Sequence, residues 1–173
     1  MIIVAISVIK LTNVMEKYTL TLFFSLLSFF SFAQWTQIGS SLNGDSPGDT
    51  FGDSVSINAT GDIIAIGAPL NDQNGEDYGQ IKVFQFLNNS WQQIGNDLLG
   101  QTFPTTGEKF GWDLDLNDSG TRLVVGSPFF INNGTTAPGV TRVFEYNGTD
   151  WIQLGNNIEG ENSLDLSGNR GFC

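Results

Sequence analysis

The chain has 173 residues, 7 Lys and Arg against 18 Asp and Glu, a net charge of -11, and no histidine. Cys173 is the only cysteine, so an intramolecular disulfide, a cysteine–histidine zinc site and Ser-His-Asp or Cys-His catalysis are excluded. The acidic balance speaks against nucleic acid or an anionic membrane surface as partner, and 21 Gly with 14% charged residues point to a turn-rich, all-β chain.

Residues 1–33 read as a signal peptide region, with Met15 as the working start. Glu16 and Lys17 precede an apolar run from Leu20 to Phe32, and Ser31 and Ala33 supply the small residues before a cut. That run is shorter than the ~20 residues a bilayer needs and contains Thr and Ser, so no membrane span is expected after cleavage.

From Trp35 onward one pattern recurs. Trp35-Thr36-Gln37-Ile38-Gly39 returns as Trp91-Gln92-Gln93-Ile94-Gly95 and as Trp151-Ile152-Gln153-Leu154-Gly155, at spacings of 56 and 60. Between these markers Phe51-Gly52 matches Phe110-Gly111, Asn58 matches Asn117, Gly67 matches Gly126 and Pro69 matches Pro128, all at an offset of 59. Self-similarity at such a period is the signature of a repeat architecture.

Each period holds four strand-like runs separated by Gly, Asn, Asp and Pro. The first predicts strands over 51–57, 62–66, 80–87 and 91–94, and the second over 110–116, 122–125, 140–146 and 151–154. Asn58-Ala59-Thr60-Gly61 and Asn117-Asp118-Ser119-Gly120 are hairpin turns in which Gly accepts a positive φ. Ile63-Ile64-Ala65-Ile66 and Leu123-Val124-Val125 are continuous apolar runs, so both faces of those strands need cover, as when sheets stack face to face.

A repeated four-stranded sheet of this size, covered on both faces, describes a β-propeller blade. Phe-Gly, an apolar strand, then Ile66-Gly67-Ala68-Pro69 or Val125-Gly126-Ser127-Pro128 resembles the FG-GAP repeat of integrin alpha-chain propellers and of related bacterial exported proteins. The Trp-x-Gln-Ile/Leu-Gly element is similar to a form common in large exported proteins of Gram-negative bacteria. The expected fold is two four-stranded antiparallel blades plus a partial third, an incomplete, open propeller. Residues 34–160 hold the two repeats with an N-terminal outer strand at Trp35 to Gly39. Residues 161–173 form a truncated third repeat, in which Leu164-Asp165-Leu166 aligns with Leu114-Asp115-Leu116 and the Phe-Gly element is missing.

The resemblance implies a calcium loop between the first two strands, but the turns after Asn58 and Asn117 are too short and poor in carboxylates to supply six to eight oxygens. A second cation candidate is Asp72, Asn74, Glu76 and Asp77; the matching stretch Ile131 to Thr136 has no carboxylate. A solvated acidic loop is the alternative there, and no other cofactor is expected. Asp113 and Asp115 share a strand face and could do acid–base work in a desolvated cleft, or line a wet channel as Ser54 and Ser56 would. Trp35, Trp91 and Trp151 are read as repeated packing rather than sugar platforms. The Asn-x-Ser/Thr sites at Asn58, Asn88, Asn117, Asn133 and Asn147 are read as turn chemistry.

The function expected from signal and resemblance is non-catalytic adhesion or recognition of an extracellular protein or glycan by a secreted or cell-surface module. Self-association through open blade faces is also expected. The alternatives are a propeller-scaffold hydrolase acting on extracellular glycans and a non-functional fragment of a longer repeat protein.

Overall fold

The computed structural model describes residues 15, 16, 18, 34–101, 107–131, 138–162 and 165–169. The chain divides into two units, Met1–Gln37 and Ile38–Cys173. The signal segment falls almost wholly outside the described residues. In the first unit Gln34 to Gln37 carry no strand, and Trp35 is 98% exposed.

The second unit is all β. Its first sheet comprises β1 (Ser54–Ile57), β2 (Ile63–Ala68), β3 (Gln80–Leu87), β4 (Ser90–Gln93) and β5 (Leu98–Leu99). The second comprises β6 (Asp113–Leu116), β7 (Arg122–Ser127), β8 (Val140–Tyr146), β9 (Trp151–Gln153) and β10 (Ile158–Glu159). Among the described residues every pairing between these strands is antiparallel, and the registers correspond pair by pair: Val55 faces Ile66 as Leu114 faces Val125, and Phe86 faces Trp91 as Tyr146 faces Trp151.

The Asn-led hairpins are built as the sequence predicts. Asn58 Oδ1 accepts the amides of Asp62 and Ile63, Asn117 Oδ1 accepts those of Thr121 and Arg122, and Gly61 and Gly120 close the turns at φ 75 and 68. Asn147 Oδ1 likewise accepts the amides of Thr149 and Asp150, and Asn88 takes a left-handed turn conformation at φ 49. Asn133 lies outside the described residues.

Three expectations are corrected. The outer strand of each sheet is broken in two: after β4 the chain leaves the ladder at Gly95, φ 75, and β5 rejoins β3 at Gln80 and Ile81, as β10 rejoins β8. The first strands begin at Ser54 and Asp113, because Phe-Gly forms a turn ahead of them. Thr50 and Gly52 have φ of 57 and 96, Lys109 and Gly111 of 54 and 82. Finally, the Phe-Gly place of the third repeat is filled. Leu166 and Gly168 have φ of 51 and 83, Ser167 donates to Pro138 as Phe110 donates to Tyr78, and Ser167 bridges Gly139 as Phe110 bridges Gly79. Leu166 therefore aligns with Lys109, not with Leu116, and Ser167-Gly168 stands for Phe-Gly.

The core lies between the sheets. Ala65, Ile81 and Val83 on one face of the first sheet meet Phe110, Leu114, Leu116, Leu123, Val125, Phe144 and Trp151 on the facing side of the second. The glycines of the signature mark where this junction closes. A Cβ on Gly67 would stand 2.4 Å from the Gly111 carbonyl, and one on Gly126 would stand 2.0 Å from that of Gly168. The Phe-Gly turn of one repeat thus presses on the Gly-Ala-Pro strand of the repeat before it, and only a residue without a side chain fits there.

Candidate functional site

Loops held by a rigid frame are where binding residues concentrate, and the polar end of the first sheet carries such a loop. The loop between β2 and β3 contains all four cation candidates. Its turn is set by the Gly75 amide on the Asp72 carbonyl at 3.1 Å and the Tyr78 amide on the Gly75 carbonyl at 3.2 Å. Asp72 Oδ1 accepts the Asp77 amide at 2.9 Å, Asn74 Nδ2 donates to the Gly100 carbonyl at 2.7 Å, and Asp77 lies 3.8 Å from Lys109 Nζ. Glu76 is exposed. The four side chains share a loop but serve separate partners. Among the described residues no three acidic or thiol side chains gather as a metal-binding group.

Behind this loop lies a polar cluster that the sequence reading missed. Gln80 is 1% exposed, and its Nε2 stands 3.0 Å from Asp45 Oδ2, 2.7 Å from Gln73 Oε1 and 3.0 Å from Asp97 Oδ2. Lys82 Nζ is 2.6 Å from Asp45 and 3.8 Å from Asp97. The Lys82 ammonium, and after it the Gln80 amide, hold the Asp45 carboxyl below its ordinary value.

In the second sheet the residue sixty positions after Lys82 is Arg142, and its surroundings are closed. Its guanidinium makes a fork to Glu108, Nη1 to Oε1 at 2.9 Å and Nη2 to Oε2 at 2.8 Å, with side chains 2% and 0% exposed. It also lies 5.7 Å from the Phe110 ring and 5.2 Å from that of Phe130. The sequence did carry a signal. Lys82 and Arg142 stand at the same repeat position, each directly before the Val-Phe centre of its strand, and a cation placed there needs a counter-charge.

Asp113 and Asp115 stand on β6 as expected. Asp115 is exposed and accepts Ser56 Oγ at 2.8 Å, and Asp113 Oδ1 accepts the Leu114 amide at 3.1 Å. The tryptophans of the two sheets share one packing role. Trp91 Nε1 donates to the Ile38 carbonyl at 3.3 Å and Trp151 Nε1 to the Ile94 carbonyl at 3.2 Å, so each indole ties its strand to the Ile-Gly element of the preceding repeat. Asp150 strengthens the second of these ties. It accepts the Asn96 amide at 2.9 Å and the Asn96 side chain at 2.7 Å, and those bonds, with the Trp151 amide, hold its carboxyl below the ordinary value.

Among the described residues no helix is long and apolar enough to cross a membrane. No curated protein matches this chain. The family model for the FG-GAP repeat matches residues 41–84, which run from the approach to Phe51-Gly52 through β1 and β2 into β3. The chain therefore carries the FG-GAP repeat at residues 41–84, and its second sheet repeats the form of the first.

Proposed function

We infer that this chain is a non-catalytic, exported module of β-propeller type that presents loops to an extracellular protein or glycan at the cell surface. The observation that carries this reading is a constant frame with divergent loops. Strand registers and hairpins correspond between the two sheets, whereas the β2–β3 loop holds Asp72, Glu76 and Asp77 and its counterpart from Ile131 to Thr136 holds no carboxylate. Variation confined to loops on a fixed scaffold is how repeat proteins distinguish ligands. The apolar run from Leu20 to Phe32 supports export. The test is binding of the fluorescent protein to arrays of cell-surface glycans and surface proteins. Retention on a defined class, weakened at least tenfold by Asp72→Asn with Glu76→Gln, is the expected result. Absence of retention on every surface, or turnover of a glycan that Asp115→Asn abolishes, overturns the reading.

A further inference from the structure

At the start of β3 the two sheets share a backbone place but not its chemistry. Gln80 pairs there with Ala68 of β2 and Leu99 of β5 and is 1% exposed, whereas sixty residues later the same place holds Val140, 0% exposed. The frame therefore does not need an amide. A buried amide costs free energy unless its polar atoms are bonded, and Gln80 Oε1 has no hydrogen-bond partner among the described residues. Its nitrogen has too many. Three oxygens close on Gln80 Nε2, Asp45 Oδ2 at 3.0 Å, Gln73 Oε1 at 2.7 Å and Asp97 Oδ2 at 3.0 Å, while an amide has only two protons to give.

The charges agree with that surplus of acceptors. Asp45 and Asp97 carry two negative charges against the single positive charge of Lys82, which lies 2.6 Å from the first and 3.8 Å from the second. One negative charge is left over. In the second sheet Asn157 stands where Asp97 does, and the setting is otherwise kept: Gln93 Nε2 donates to Asp97 at 2.7 Å as Gln153 Nε2 donates to Asn157 at 3.0 Å.

We propose that Asp45, Gln73, Gln80 and Asp97 form a calcium site on the first sheet. It stands apart from the β1–β2 turn, where the family resemblance implies a metal, and from the side chains of Asp72, Asn74, Glu76 and Asp77. Half a turn about the last bond of Gln80 exchanges the two ends of its planar amide, so that Oε1 stands where Nε2 stood. Four oxygens then face one another. Calcium holds its oxygens at about 2.3–2.6 Å, often in a pentagonal bipyramid, so neighbouring ligands lie about 2.7–3.1 Å apart. The separations of 2.7, 3.0 and 3.0 Å around the end of Gln80 match that spacing. Carboxylate and amide oxygens suit a hard cation, and side chains drawn from separate segments suit calcium, which accepts irregular shells, better than magnesium, which demands an octahedron. Asp45 and Gln73 are exposed, so an ion and the waters that complete its shell can reach the buried Gln80 at the floor. Lys82 is the competitor. Calcium takes Asp45 as the ammonium gives it up.

The test is calorimetric titration of calcium chloride into the whole chain, freed of metal with a chelator that is then removed. Saturable binding is expected with a dissociation constant of about 10⁻⁴–10⁻³ M, the range of extracellular calcium modules; no saturation at tenfold higher calcium overturns the proposal. Gln80→Val and Asp97→Asn install the residues that the second sheet holds at these places, so the far-ultraviolet spectrum is expected to persist while binding weakens at least tenfold. Unchanged binding in these variants overturns the site. Lys82→Gln removes the competitor and is expected to tighten binding; weaker binding there overturns the assignment of Asp45. Asp72→Asn with Glu76→Gln, in the neighbouring loop, is expected to leave the titration unchanged, and loss of calcium in that variant would move the ion to the loop and overturn the proposal.

Discussion

The two sheets are the same design placed in different surroundings. Lys82 and Arg142 occupy one repeat position, yet Lys82 shares Asp45, whose side chain is 45% exposed, whereas Arg142 is enclosed with Glu108. Val55 and Ile57 lie in water where Leu114 and Leu116 lie in the core. Position in the repeat fixes the backbone, and the neighbour on each face decides what a side chain contributes. In a stacked array, energy resides as much in the junctions as in the units.

The largest expected difference between the sheets follows from their cations. Arg142→Ala leaves Glu108 buried without a counter-charge, a change that costs about 3–5 kcal/mol. Lys82 is 12% exposed but its partner Asp45 is 45% exposed, so Lys82→Ala leaves a carboxylate that water reaches and is expected to cost about 1 kcal/mol, the upper end for pairs in contact with solvent. Urea unfolding of the two variants measures both values. Equal losses would show that the two environments are energetically alike, against the exposures seen here.

A smaller contrast sharpens the same point. Leu116→Ala opens a cavity in the inter-sheet core and is expected to cost about 2–5 kcal/mol. Ile57, at the matching position of the first sheet, is 52% exposed, so Ile57→Ala is expected to cost about 1 kcal/mol or less. Urea unfolding midpoints of the two variants separate the two. A loss at Ile57 as large as that at Leu116 would mean that position in the repeat, not exposure, sets the cost.

Much of this was legible in the sequence because turns and apolar runs are local. Asn58 and Asn117 read as hairpin leaders and act as such through their own side-chain oxygens. Val83-Phe84 and Val143-Phe144 read as strand centres and lie in β3 and β8. The misreadings came where chemistry and backbone shape part company. Phe51 and Phe110 suit a strand by propensity, but the left-handed residues on either side turn the chain there. Ser167-Gly168 keeps that backbone after losing the phenylalanine, so matching by residue type passed over it. Glu108 and Arg142 lie 34 residues apart, and the counterpart Lys82 uses an acid from a different part of its loop, so no periodic signal joined them.

The finest distinction lies at the outer rim and responds to pH. Asp150 ties the second sheet to Asn96 of the first, whereas its counterpart sixty residues earlier is Ser90, whose hydroxyl donates to the Leu87 carbonyl within its own hairpin. The hydrogen bonds from Asn96 and from the Trp151 amide lower the folded-state pKa of Asp150 below the ordinary 3.8. A carboxyl depressed on folding adds stability that is complete above its unfolded value and is lost as pH falls through the folded one. The junction between the sheets is therefore expected to loosen below about pH 4, while Ser90, which does not titrate there, leaves its own hairpin unaffected. Amide exchange at Asn96 read against pH, in the native chain and in Asp150→Asn, measures this directly. Protection at Asn96 is expected to fall with acid in the native chain and to be low and flat in the variant. Equal acid sensitivity in both would assign the loss to other carboxylates and remove Asp150 from the junction.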